Sequence, residues 1–216
     1  MNTNEYLIHT ALKPDTTLAE IEKICNEAIQ YNFKTVCVPP LFVKKATDIV
    51  KEKGIKVATV IGFPFGYSAI EAKVAETVLA ILDGADELNV VINICAVKNN
   101  DWQYLAGELN NLMPIVKSKN KSISITIESG LLSDDEIIKC CDLYGIAGVD
   151  NLCTSTGFTF VNATVENVLL IRKHLADKIG IIANGDIKNN TFANQLINAG
   201  ASRIGCNGTE IVTDTV

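Results

Sequence analysis

Val149-Asp150-Asn151-Leu152-Cys153-Thr154-Ser155-Thr156-Gly157-Phe158 runs from apolar residues straight into hydroxyls and a glycine. A buried parallel strand that ends in a loop able to hold a small anion has this form. Cys153 takes the strand's last inward position, with no charge in the adjoining loop. Seven similar runs, rich in Val, Ile, Thr and Cys, recur along the chain: 6–10, 35–39, 57–62, 87–93, 122–128, 180–183 and 202–206, with 148–154 making eight. Most are apolar on both faces, as in parallel strands covered on both sides.

Amphipathic segments separate the runs. Thr17-Leu18-Ala19-Glu20 and Ser133-Asp134-Asp135-Glu136 are capping boxes, which tie a helix's first N–H groups to its own side chains. Leu18, Ile21, Ile24, Cys25 and Ala28 form the stripe expected to be buried on the first helix, and Thr164 opens a later one. Asn32, Gly54, Gly84, Gly145 and Gly200 stand where helices are expected to stop. Eight strand–helix units without a linker predict a single (β/α)8 TIM barrel over 1–216, with its chemistry at the carboxyl ends of the strands. An open doubly wound sheet is disfavoured, since no G-x-G-x-x-G follows the first strand.

Composition narrows the function classes. Nineteen basic residues against twenty-five acidic ones give a net charge of −6, which disfavours nucleic acid or an anionic membrane as partner. The sequence has no apolar run of membrane-spanning length. Its seven cysteines lack C-x-x-C spacing and its start lacks a signal-peptide pattern, so reduced thiols and a cytoplasmic location are expected. No metal site is expected.

Several strand ends carry longer words. His9-Thr10-Ala11-Leu12-Lys13-Pro14-Asp15, Val36-Cys37-Val38-Pro39-Pro40, Thr59-Val60-Ile61-Gly62-Phe63-Pro64, Asp83-Gly84-Ala85-Asp86-Glu87, Ile127-Glu128-Ser129 and Thr154-Ser155-Thr156-Gly157-Phe158 occur in that order. Over residues 6–212 the chain resembles the deoxyribose-phosphate aldolases, class I lyases on a TIM barrel. The resemblance implies reversible cleavage of 2-deoxyribose 5-phosphate to acetaldehyde and glyceraldehyde 3-phosphate, and a place in deoxyribonucleotide catabolism. Three groups carry that chemistry: a Schiff-base lysine, a second lysine that lowers its pKa, and an aspartate that moves protons. At the matching positions this chain has Cys153, Ile182 and Asn89. Ser124 takes the place of a further interior lysine. Joint replacement by neutral groups leaves no charge stranded, and a thiol provides no electron sink. An inactive or strongly impaired pseudoenzyme that binds a ligand or partner is therefore expected.

Two enzymatic alternatives stay open. One is an active aldolase with a relocated amine, for which Lys13 and Lys73 are candidates, Lys73 as a helix-surface or salt-bridged group. The other is a thiol activity of Cys153 with His9 as base, against the simpler reading of His9 as a hydrogen-bonding group of the barrel mouth. For a small phosphorylated sugar, the resemblance points to the turns at Gly157, Gly185 and Gly205, with Asn207 in an anion nest. Asp186 there would repel a phosphate unless it turns away. Glu128 is expected to point inward as a hydrogen-bonding anchor, and Trp102 and Tyr104 to pack on the outer ring. Ala183-Asn184-Gly185-Asp186-Ile187 is similar to a phosphate-loop word of flavin-binding barrels, but nothing else in the chain supports it, so no cofactor is expected. The resemblance also admits a homodimer.

Overall fold

Alternation along the eight apolar runs turns one set of side chains to a common axis and the other to surrounding helices. In a computed structural model, which describes residues 6–206, the strands are β1 (Leu7–Thr10), β2 (Thr35–Val38), β3 (Lys56–Ile61), β4 (Glu87–Val91), β5 (Ser122–Thr126), β6 (Asn151–Cys153), β7 (Gly180–Asn184) and β8 (Arg203–Cys206). All neighbours pair in parallel and β8 closes on β1, giving the expected TIM barrel.

The helices are α1 (Leu18–Tyr31), α2 (Val43–Val50), α3 (Ile70–Leu82), α4 (Ile94–Lys98), α5 (Trp102–Ser118), α6 (Asp134–Ala147), α7 (Val165–His174) and α8 (Asn190–Asn198). Both capping boxes form as expected, at Thr17 and Ser133, and Thr164 caps α7. Two details differ. Leu18 is half exposed, because it lies in the first turn before the helix settles on the barrel. Gly145 does not end α6, which runs on to Ala147 and is capped by Gly148 with φ +72°, a conformation glycine adopts without a Cβ penalty. Trp102 and Tyr104 pack partly buried against the outer core. Among the described residues no helix is long and apolar enough to cross a membrane.

Strand register arranges the barrel interior in layers contributed by alternate strands. The lowest holds Thr35, Glu87, Asn151 and Arg203; above it lie Ile8, Ala58, Ser124 and Ile182; then Cys37, Asn89, Cys153 and Gly205; and at the mouth Thr10, Val60, Thr126 and Asn184. Charge is confined to the lowest layer, where an Arg203 guanidinium N–H donates to Glu87 across 2.7 Å. Asn151 links that layer to Ser124 above, at 3.0 Å.

Candidate active site at the barrel mouth

The two upper layers open into a cavity of about 520 Å³ at the carboxyl ends of the strands. Thr10, Cys37, Val60, Asn89, Thr126, Asn184 and Gly205 form its floor and lower wall. Phe63 and Phe158, in edge-to-face contact at 5.1 Å, form one side. Among the described residues, Lys13, Asp186 and Lys188 are the charged ones of its lining.

Cys153 is fully buried, sharing an apolar cluster with Ile8, Cys37, Ala58, Val60 and Ile182. Burial pushes its thiol up to about 12, outweighing the positive charge of Arg203 and the hydrogen bonds of Thr126 and Ser124. Ile182, its β7 neighbour, is also fully buried. Asn89 Nδ2 points at the Cys37 sulfur, 3.7 Å away. Cys37, which the sequence reading did not single out as a site residue, is the inward thiol that lines the cavity. Period-two alternation from Thr35 would have placed it on the axis. Burial is again the main reason its thiol rises to about 12. Two oxygens at this end, Asn89 Oδ1 and Ser155 Oγ, are buried without a hydrogen-bond partner among the described residues.

The proposed His9 base does not face this site. Ile8 and Thr10 point to the axis, so His9 between them points outward, where its Nε2 lies 2.7 Å from Glu27 of α1 and its ring stands edge-on to Phe33. Strand alternation thus separates His9 from Cys153, and it is not a hydrogen-bonding group of the mouth.

The two candidate amines also part company. Lys73 is completely buried between the barrel wall and α5, donating to the Val91 carbonyl at 2.7 Å and to Glu108. It is salt-bridged, but it lies outside the barrel interior. Desolvation lowers its pKa despite Glu108, and raises that of Glu108 despite Lys73. Lys13 is exposed at the cavity rim.

Glu128 is fully buried just past β5, with φ +54°. Its carboxylate accepts hydrogen bonds from the backbone N–H and hydroxyl of Thr156 and from the hydroxyl of Thr159. It is the expected anchor, and what it anchors is the β6–α7 loop. Ser129 N–H donates to the Thr154 carbonyl at 2.7 Å and strengthens the same clasp.

Gly157 and Gly185 adopt φ +82° and +98°, and a Cβ on Gly157 would lie 3.7 Å from Gly185 Cα, so these two turns meet at the mouth. Gly205 sits beneath the Asn184 side chain, whose oxygen leaves no room for a Cβ. Asp186 belongs to the cavity lining, and its carboxylate pairs with Lys188 at 2.6 Å. Asn207 and the nest expected around it lie outside the described residues.

The description DeoC/LacD family aldolase fits residues 8–211. The chain belongs to that family. It is 41% identical over 216 residues to a deoxyribose-phosphate aldolase of Caldanaerobacter subterraneus, covering 99% of this chain and 94% of that one. It is 44% identical to the deoxyribose-phosphate aldolase of Thermococcus gammatolerans, covering 95% and 92%. The solved deoxyribose phosphate aldolase of Aeropyrum pernix superposes with a TM-score of 0.91 at 25% identity, covering 99% and 90%. Membership and relatives support an aldolase-type function.

Proposed function

We propose that this chain is a member of the family without Schiff-base chemistry, a pseudoenzyme that binds a small sugar-like molecule in its barrel mouth. The observation that carries this reading is the make-up of the two upper interior layers. Cys37, Asn89, Cys153, Gly205, Thr10, Val60, Thr126 and Asn184 include no amine. An aldol cleavage of this class needs an iminium to receive the electron pair of the breaking carbon–carbon bond. No side chain of these layers can form one. Nor is Cys153 a substitute: burial pushes its pKa up to about 12, so the thiol stays protonated at neutral pH.

The cavity itself supports retained binding. It is of a size that takes small ligands, with aromatic walls and a polar floor. Family membership makes a phosphorylated sugar the first ligand to consider. A relocated amine is the second reading, favoured by the place of Lys13 and Lys188 in the cavity lining.

Borohydride trapping with acetaldehyde, read by peptide mass spectrometry beside a 2-deoxyribose 5-phosphate cleavage assay, separates the two. No adduct and no turnover are expected. A stable adduct on Lys13 or Lys188, lost with the corresponding Lys→Ala change, would replace the pseudoenzyme reading with the relocated-amine one.

A further inference from the structure

We infer that the outer face of α3 is a self-association surface, on which two copies of this chain pair through antiparallel α3 helices about a two-fold axis. This is independent of what the mouth binds.

A helix on the outer ring of a barrel buries one stripe and ordinarily turns charged and polar residues to water. α3 departs from that pattern. Its exposed positions, Glu71, Ala72, Ala75, Val78, Leu79 and Leu82, share one side of the helix and are apolar at all but the first. Leu79 is 61% exposed and Leu82 76%. The inward side is already complete, with Lys73, Thr77 and Ala80 buried, so the outward leucines are not displaced core residues. The flanking helices turn polar groups outward: Lys44, Lys45 and Asp48 on α2, and Gln103, Asn110 and Asn111 on α5. An exposed apolar patch with a polar rim is the make-up of a protein–protein contact.

The shape of the stripe points to a second copy as its occupant. Its side chains are small toward the start of the helix, at Ala72 and Ala75, and large toward its end, at Leu79 and Leu82. A two-fold axis level with Thr77 sets Ala72 against Leu82 and Ala75 against Leu79 across the contact. Each large side chain then meets a small one, and each match occurs twice, because a two-fold contact is isologous. A parallel pair would instead oppose large to large at one end and leave a gap at the other. The size also suffices. Thirteen residues make a helix of about 20 Å. With the two flanking helices at ~9 Å on either side the face is roughly 30 Å wide. That is on the order of 600 Å² per copy, at the lower end of specific interfaces, and suits a dimer with a roughly micromolar dissociation constant.

The test is sedimentation velocity of the full chain from about 1 to 100 μM. The wild type is expected to pass from monomer to dimer over this range. Leu79→Glu with Leu82→Glu should raise the dissociation constant more than about 100-fold, while circular dichroism and the unfolding midpoint stay unchanged, since both residues are exposed. The pairing itself is read from a swap. Ala72→Leu alone adds apolar surface yet should weaken the dimer about tenfold by overfilling, and Leu82→Ala alone should weaken it similarly by leaving a gap. Ala72→Leu with Leu82→Ala should return to within about threefold of wild type. A wild type still monomeric at 100 μM would overturn the inference and leave the face to a different protein. A dimer indifferent to the Glu variants, or strengthened by Ala72→Leu, would overturn it as well, the first by placing the contact elsewhere and the second by showing unspecific adhesion.

Discussion

The burial of Cys153 within the third layer is tested most directly by placing an amine there. Cys153→Lys puts a long cationic side chain beside Ile182, Thr126 and Asn89, where Cys153 has no exposed surface. Burial on this scale lowers a lysine pKa by about 3–5 units from its usual ~10.4. The introduced amine would therefore be largely neutral at pH 7, and holding it so costs about 4–5 kcal/mol relative to the protonated lysine of the unfolded chain, at ~1.4 kcal/mol per unit. Overfilling adds about 1–3 kcal/mol. For a chain of this length each kcal/mol lowers the midpoint by roughly 2–4 °C, so thermal unfolding at pH 7 should fall by about 10 °C or more. The sign is fixed by linkage: the unfolded lysine binds a proton that the folded one refuses. The deficit is therefore largest below the folded pKa and vanishes as pH rises past ~10.4. The assay is calorimetry of the wild type and Cys153→Lys between pH 6 and 9, with borohydride trapping of acetaldehyde at each pH. The introduced amine should be trapped, since burial leaves it unprotonated without a second lysine, yet cleavage of 2-deoxyribose 5-phosphate should remain slow while Asn89 stands in the proton-relay position. A variant as stable as wild type at pH 7, trapping only above pH 9, would show that water reaches the side chain at position 153 and that the reasoning is wrong.

Lys73→Met leaves Glu108 buried without its cation and should cost about 3–5 kcal/mol in denaturant unfolding, whereas Lys73→Met with Glu108→Leu should recover most of it. Partial burial raises the pKa of Asp150, but its hydrogen bonds from Lys117 and the Ile123 N–H outweigh that and hold it low. Its contribution is thus complete above the unfolded value near 3.9 and lost as pH falls through the lower folded value. The acid limb of a stability profile should accordingly flatten in Asp150→Asn. Thiol alkylation of the native protein should mark exposed Cys95 first, with Cys153 modified only on unfolding. Native-state labelling of Cys153 at a comparable rate would contradict its burial.

The barrel was legible because its strands are apolar on both faces and its helices announce their starts chemically, at Thr17 and Ser133. Where local signals failed, tertiary geometry had taken over. Leu18 fits a buried stripe by spacing, but the helix meets the barrel one turn later. Gly145 resembles a stop, yet α6 is carried past it to a better αL residue at Gly148. His9 was assigned to the mouth on its motif, although period-two counting from Ile8 and Thr10 turns it outward. The same counting would have set Cys37 beside Asn89. The burial of Lys73 could not be read, because its carboxylate partner lies 35 residues away on another helix. The clasp of Glu128 on Thr156 and Thr159 likewise joins two loops that only the closed barrel brings together.

The charged lowest layer has a consequence for how the chain is made. Glu87 is buried, and its partners are Lys56 at 3.5 Å and Arg203 at 2.7 Å. Arg203 follows Glu87 by 116 residues and stands on the last strand, the one that also closes against β1. During synthesis the first seven strand–helix units emerge while Glu87 lacks its shorter ion pair and β1 lacks one neighbour. Contacts of such long sequence separation reward the chain only at the end. The nascent chain therefore stays an open, edge-exposed intermediate until β8 emerges and can pair with both β7 and β1.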